Sequence, residues 1–531
     1  MKSQFNKTIY LSLAVMFALS VFGAVWQGQY SIDHAHWGSM ISNAKDMAEG
    51  LAPYKNIYIL YGFLTTSIHA FAYKYLGANL QSLILVTSVF YACGLLLVYF
   101  IAERVESNQK IALAIVLTYF LVHPFAIYPW SNYLAFPLLM LGLFNSLSKE
   151  QKSIRYFISG FAFALAVLTR EGLLPPVLLY LVAVIIIDVL NESESKIKKI
   201  REGLVSLAGF VLPILIFIAY LYSHDILNYW KTMSWNLPQL YAAEFFPHMK
   251  GMGLIVPFIK QIVSGVLRLD VRWMLILMTV LINGGVVVLG VLSSQYRQSY
   301  SNNFKVALLS MLLISSALHL PEIFRLATGG MIGLVNVYMV GRKIKAQFAL
   351  FAVLAITLSI TIAPTGSGDS FSTTNYFWPN ENKIKNTKTV FTPSYFRNQK
   401  WEADAIGFYN EIEADLKKVH AVCKLKYHYN MTQDSFLVVI SPFERYQIAA
   451  HWTSDAISNL RPDLNIEQKL KKDRDILILQ ELANDGSDIA KIPEDFVLFK
   501  KYKTPKTTFL YRDASLSIYI PKLCEEALAT K

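Results

Sequence analysis

The residue types able to do chemistry in this sequence gather at the ends of apolar segments. The first group follows the first apolar run by a few residues. It reads Asp33-His34-Ala35-His36-Trp37-Gly38, then Glu49-Gly50-Leu51-Ala52-Pro53-Tyr54-Lys55 and Tyr61-Gly62-Phe63-Leu64. A carboxylate held at a membrane surface can take a proton from a hydroxyl group. Two imidazoles and a lysine in the same stretch can bind an anionic head group. The competing reading is that Asp33 marks the membrane boundary and that His34 and His36 make surface hydrogen bonds. Further groups are Arg170-Glu171, then Arg268 with Asp270 and Arg272, then Glu322 and Arg325 with His319 just before them. Charge at membrane depth is costly and is often functional. Ion pairs at helix ends and interfacial anchoring are the alternatives for these groups. His123, next to Pro124, reads as a packed bundle residue.

The elements that must position these groups are membrane helices. The 531-residue chain is 54% hydrophobic and 16% charged, and its apolar residues run in long blocks. Crossing the bilayer core takes about 20 such residues, because no water is there to satisfy the backbone. The blocks predict about eleven spans, near 8–26, 80–102, 111–128, 133–148, 156–170, 173–190, 203–222, 274–293, 306–320, 327–341 and 346–363. The expected fold is an α-helical polytopic membrane bundle over residues 1–363, with large outer loops at 27–79 and 223–273. A linker at 364–390 and a C-terminal soluble α/β domain at 391–531 follow.

The net charge of +12 invites a nucleic-acid reading, but its location argues against one. Residues 364–531 hold 23 basic and 22 acidic side chains, so the excess lies in the membrane part. One set of loops (1–7, 103–110, 149–155, 192–202, 294–305 and 342–345) carries 16 Lys and Arg in 49 residues. The opposite set is more than twice as long and carries 9. The basic set belongs in the cytoplasm. The N-terminus is then inside, and an odd number of spans leaves the C-terminal domain outside.

The first outer loop has amphipathic stretches at His36–Met47 and Leu64–Tyr75, which read as surface helices. The aromatics of 223–273 read as an interfacial belt. In the C-terminal domain, Trp401–Lys418 and Glu444–Leu460 read as helices. Phe436–Ile440, Ile476–Leu479, Phe496–Phe499, Thr508–Tyr511 and Leu516–Ile520 read as strands. Cys423 and Cys524 both fall in this domain, either as a disulfide or as two free thiols, and Cys93 reads as packing.

An acidic residue opening a large first outer loop, followed by G-x-x-PY and YG, resembles the membrane glycosyltransferases of the GT-C type. These include the protein O-mannosyltransferases, the aminoarabinose transferases of lipid A and many O-antigen sugar transferases. Gly160–Leu168 with Thr169-Arg170-Glu171-Gly172 is similar to their glycine-containing hairpin. The resemblance implies an inverting transfer from a sugar on polyprenyl phosphate, at the outer leaflet of a bacterial inner membrane. It implies that Asp33 is the catalytic base and that Lys55, Arg170 and His36 bind the donor phosphate. His34, Asn132, Glu171, Arg268, Glu322 and Arg325 form a possible secondary set. The acceptor would be a glycan or lipid-linked glycan, such as the O-antigen of lipopolysaccharide. The sequence departs from the pattern at Asn132, where many members carry a second acid. A divalent metal prefers charged oxygen ligands, so this departure speaks against metal dependence, with only His34 and His36 nearby to assist. No other cofactor is implied.

Other functional classes remain to be weighed. A transporter or lipid flippase would show repeated halves and midplane charges. The sequence shows neither. A receptor or scaffold would tolerate loss of Asp33. A glycan polymerase or ligase would differ in using a multi-sugar lipid donor.

Overall fold

In lipid, a chain must satisfy its backbone polar groups internally, and the apolar runs accordingly form helices. The computed structural model describes residues 7–30, 33–34, 36–59, 61–122, 129–147, 152–191, 196–239, 252–267, 270–318, 323–343, 391–432, 434–446, 475–482, 492–505 and 515–530. Among them, five helices are long and apolar enough to cross a membrane: Lys7–Gly28, Leu80–Glu106, Glu171–Leu190, Lys196–Ser223 and Arg272–Leu292. Large apolar side chains on their outer faces, such as Leu11, Phe22, Leu215 and Leu281, stay exposed. Water disfavours such surfaces and lipid tails accept them. The chain is a multi-pass membrane protein.

We label α1 (Lys7–Gly28), α2 (His36–Ala48), α3 (Phe63–Tyr75), α4 (Leu80–Glu106), α5 (Gln109–Val122), α6 (Ser131–Ser146), α7 (Ser153–Thr169), α8 (Leu174–Asn191) and α9 (Lys196–Ser223). The expected surface helices of the first outer loop are α2 and α3. Helix α7 lies tight against α9. A Cβ on Gly160 would run into the backbone of Ser206, and one on Gly209 into that of Phe157. Small residues let membrane helices approach this closely.

One expected span is broken. The segment 327–341 is a short helix Ile323–Ala327, a turn, a 3-10 turn Gly330–Gly333 and a helix Leu334–Lys343. Gly329 makes the break possible with φ +109°. Side chains meet the freed backbone groups. Tyr119 donates its hydroxyl to the Ala327 carbonyl and accepts from the Gly329 N–H at 3.0 Å. Ser310 donates to the Gly330 carbonyl, and Asn283 to that of Gly333 at 3.1 Å. Irregular backbone at membrane depth requires this kind of protein cover. Residues 223–273, expected as a large outer loop, contain an apolar helix, Met252–Leu267. The expected span 346–363, the linker, His123, Arg268, His319 and Glu322 lie outside the described residues.

Among the described residues, the C-terminal domain is a mixed five-stranded sheet packed on a helix. The strands are β1 (Tyr427–Met431), β2 (Glu444–Arg445), β3 (Ile476–Leu482), β4 (Phe496–Lys503) and β5 (Ser515–Pro521), in the order β2-β1-β3-β5-β4. β1 pairs in parallel with β2 and β3, and β5 runs antiparallel to both β3 and β4. The helix Ala403–Cys423 buries Ile406, Tyr409, Ile412, Leu416 and Val419, a helical repeat that the sequence signals. Cys423 and Cys524 form a disulfide across 101 residues.

Two local readings fail here. Phe436–Ile440 is a short helix instead of a strand. Asp434 starts it by accepting the Phe436 N–H at 2.9 Å. An apolar run buried all round suits either element, so its pattern does not decide. Glu444–Arg445, expected to open a helix, pairs with β1 as a strand. Residues 447–474 and 506–514, which include the expected strand Thr508–Tyr511, lie outside the described residues.

The domain docks on α2. Gly38 lets the helix Phe436–Ile440 approach, since a Cβ there would stand 2.7 Å from the Phe436 nitrogen. Ser39 and Ser435 hydroxyls meet at 3.0 Å. Arg445 pairs with Asp46 at 3.2 Å. The Lys400 N–H donates to the Gln29 carbonyl at 2.7 Å.

Candidate active site

Asp33 sits in the short turn between α1 and α2 and is 3% exposed. Its carboxylate closes the start of α2, where backbone N–H groups lack partners. Oδ1 accepts the His36 N–H at 2.8 Å, and the Asp33 carbonyl accepts the Trp37 N–H at 3.0 Å. The His36 Nδ1 lies 3.1 Å from Oδ2. Burial alone would raise the Asp33 carboxyl. The charge and hydrogen bonds of His36 outweigh it and hold Asp33 below its ordinary value, hence ionised.

His36 leads to the next layer. Its ring packs on Trp130, with centroids 5.3 Å apart. Trp130 stacks with Tyr61 at 6.5 Å and carries the Arg325 guanidinium at 5.4 Å over its ring. Arg325 comes from the short helix Ile323–Ala327 of the broken segment. Arg170, emerging from the end of α7, donates to the Asn132 side-chain oxygen. Asn132 donates in turn to the Thr328 hydroxyl at 3.3 Å. The Arg325 guanidinium is a charged neighbour of Arg170. Gly62 fixes the approach of the first loop to this point. A Cβ there would run into the carbonyls of Leu168 and Thr169, and Thr65 donates to the latter at 2.7 Å.

Asp33, His36, Asn132, Arg170 and Arg325 thus come together from four separate segments. The other sequence-predicted residues divide differently. Lys55 is exposed, with its ammonium 5.8 Å from the Tyr229 ring centroid. Glu171 ties loops together: it accepts from Tyr54 at 2.9 Å and from the Trp230 indole at 3.2 Å. His34 reaches the C-terminal domain through its backbone. It is fully buried, its carbonyl accepts the Ser435 N–H at 3.1 Å, and Asp434 is a charged neighbour. Burial lowers its imidazole, which stays neutral. His34 thus lies at the docking surface, with Asp33 and His36 as neighbouring titratable groups. Arg268 and Glu322 lie outside the described residues.

Sequence reasoning missed Trp130, Tyr61 and Thr328 as wall residues. Trp130 looks like any interfacial aromatic, and only its contacts distinguish it. Among the described residues no group of three or more His, Cys, Asp or Glu is arranged to hold a metal. Asp33 and His36 make a pair, and the Asn132 side-chain oxygen accepts from Arg170.

An ionised carboxylate, an imidazole and two guanidinium groups around an aromatic wall can take a proton from a hydroxyl and hold an anion beside it. No family model matches the sequence, and no curated protein matches it. Among solved structures, the chain is similar to ArnT from Cupriavidus metallidurans bound to undecaprenyl phosphate. The identity is 11% over 97% of this chain and 98% of that one, with a TM-score of 0.52. The same enzyme in the apo state gives 11% identity, 96% and 97% coverage and a TM-score of 0.49. The Archaeoglobus fulgidus oligosaccharyltransferase, in complex with zinc and sulfate, gives 11% identity, 76% and 55% coverage and a TM-score of 0.36. The chain shares the fold of that ArnT over nearly its whole length.

Proposed function

We propose that this protein is a membrane glycosyltransferase that moves a sugar from a polyprenyl-phosphate donor to a hydroxyl of an extracytoplasmic acceptor. The observation that carries this reading is the convergence of Asp33 and His36 with Arg170 and Arg325 around Trp130. The similarity over nearly the whole chain to an ArnT bound to undecaprenyl phosphate supports the donor class. The acceptor is a lipid-linked cell-surface glycan, such as O-antigen.

In the proposed reaction the acceptor oxygen attacks the anomeric carbon as its proton passes to the base centred on Asp33. The bond from that carbon to the phosphate oxygen breaks, with inversion, and its electron pair leaves on the polyprenyl phosphate. Arg170 and Arg325 face the charge that develops there, and preorganised cations of this kind supply much of an enzyme's rate. Lys55 is a further cation at the exposed rim.

The setting is the bacterial inner membrane, with the N-terminus cytoplasmic and the C-terminal domain outside. The loop charges support this orientation, and so does the Cys423–Cys524 disulfide, since such bonds persist in oxidising compartments. The test offers membranes containing wild type or Asp33→Asn, at equal levels, a panel of polyprenyl-phosphate sugars. We expect wild type to consume one donor and the variant to lose at least about 100-fold in rate. Equal consumption by both would remove Asp33 from the chemistry. No consumption of any donor by wild type would contradict the reading.

A further inference from the structure

We infer that a cavity at the end of the bundle opposite Asp33 binds the head group of an aminophospholipid, with the primary ammonium inside and the phosphate at the mouth. This site is separate from the proposed transfer and does not rest on it.

The cavity has a volume of about 30 Å³ and is partly open to its surroundings. It lies among α6, α7, α8 and α9, at the helix ends far from the candidate active site. Helix α6 starts beside Asn132 and reaches the cavity at Ser146, roughly 20 Å along its axis. Helix α7 lines it with Tyr156 and Ser159 and ends at the other side, where Arg170 follows. Both α8 and α9 contain stretches long and apolar enough to cross the membrane. Asp188, Lys199 and Glu202 sit near the ends of those stretches, where lipid head groups begin.

The wall of the cavity is rich in acceptors and poor in donors. The Ser146 hydroxyl donates to the Leu143 carbonyl at 2.8 Å, and that of Ser159 to the Gly142 carbonyl at 2.7 Å. The Tyr180 hydroxyl lies 3.0 Å from Ser146 Oγ, so its hydrogen goes there. Lys199 donates to Glu202 Oε2 at 2.9 Å. Lys305, from the helix Ser301–Ser316, pairs with Asp188 at 2.8 Å. The hydroxyl hydrogens are thus engaged, and the oxygens remain to accept. The second Glu202 oxygen, Oε1, is buried and has no hydrogen-bond partner among the described residues. The Tyr156 hydroxyl is a neighbour of that carboxylate. A buried charged acceptor left unmet is costly. The guest that satisfies this wall is a cationic donor, and an ammonium offers three N–H groups and no acceptor.

Size and surroundings choose among ammonium compounds. The volume admits about two water-sized groups. An ammonium and its methylene fit, whereas a trimethylammonium does not. Lys199 uses one donor on Glu202 and keeps the others for a phosphate. Lys196 and Arg201 are exposed on the same first turns of α9. Ile186 and Leu190 on α8, and Ile197, Ile200 and Leu204 on α9, are exposed apolar side chains at these helix ends. They offer a surface for acyl chains.

The experiment adds lipids to delipidated full-length protein in detergent and measures bound lipid by native mass spectrometry. The probes are phosphatidylethanolamine, phosphatidylcholine and phosphatidylglycerol, each against wild type, Glu202→Gln and Tyr156→Phe. Gln keeps the size at 202 and removes the charge. Phe keeps the ring at 156 and leaves both ion pairs in place, so it decides the matter if the first variant does not fold. We expect wild type to hold phosphatidylethanolamine at least about tenfold more tightly than the other two lipids. Glu202→Gln should abolish that preference, and Tyr156→Phe should weaken it about threefold. Free ethanolamine should compete only at far higher concentration than the lipid. Equal binding of the three lipids would overturn the inference and leave a cavity filled by water. Tighter binding of phosphatidylglycerol would overturn it too, since the phosphate alone would then be recognised. A preference unchanged in the folded variants would place the lipid elsewhere. Competition by ethanolamine at the lipid's own concentration would make the guest a soluble amine and remove the lipid assignment.

Discussion

Arg170 and Arg325 approach each other although their charges repel, held by Asn132 on one side and Trp130 on the other. An anion between them relieves that repulsion. Arg170→Gln and Arg325→Gln should each weaken polyprenyl-phosphate binding at least about tenfold, which is about 1.4 kcal/mol. Competition binding in nanodiscs measures it. Arg170→Lys should restore little, because a point charge cannot make the planar contact with Asn132. Much of this site was legible as residue types at segment ends: Asp33, His36, Arg170, Asn132 and Arg325 all stand out there. Which of them meet was not legible, because they lie on four separate segments. His34 shows the limit most clearly. Two positions from His36, its carbonyl accepts the Ser435 N–H of the C-terminal domain, a contact that residue type alone does not signal.

At the scale of elements, the glycines decide how closely segments meet. Gly38 admits the helix Phe436–Ile440, and Gly38→Ala should loosen the docking of the whole C-terminal domain. Limited proteolysis of the membrane-bound protein should show faster release of that domain. β1 carries a second test. His428 is buried, and burial, then the Arg445 charge, depress its imidazole to about 3, from an ordinary 6.5. Its folded value is below its unfolded one, so the stability it reflects is complete above about pH 6.5 and is lost as pH falls toward 3. His34, also lowered by burial, adds to the same trend. The thermal midpoint should drop between pH 6.5 and 5 by a margin that His428→Gln reduces. The sequence signalled the five long membrane helices, the helix Ala403–Cys423 and three of the strands well, because their apolar runs or periodicity are strong. It misread Phe436–Ile440, because a short run buried on every side carries no period, and it missed the break at Gly329, because apolar residues continue through it.

For the whole molecule, the disulfide and the loop charges make one joint prediction about orientation. A membrane-impermeant thiol reagent, added to intact cells after mild reduction, should label Cys423 and Cys524 without opening the cytoplasmic membrane. Labelling only after lysis would reverse the topology. Cys524→Ser should destabilise the C-terminal domain by roughly 5 kcal/mol in the chain-entropy account, since the bond closes a loop of 101 residues. The domain's docking on α2 joins it to the helix that begins at Asp33 and His36, so loosening it should also slow the reaction.

The central claim is that the outer-face site around Asp33 transfers a sugar off polyprenyl phosphate. Its most direct test is acceptor-dependent release of polyprenyl phosphate by purified protein in proteoliposomes, with wild type and Asp33→Asn compared at matched donor binding. The account predicts release by wild type and a loss of at least about 100-fold in the variant, with donor affinity preserved. Equal release by the two proteins, or none by wild type with any donor, would contradict it.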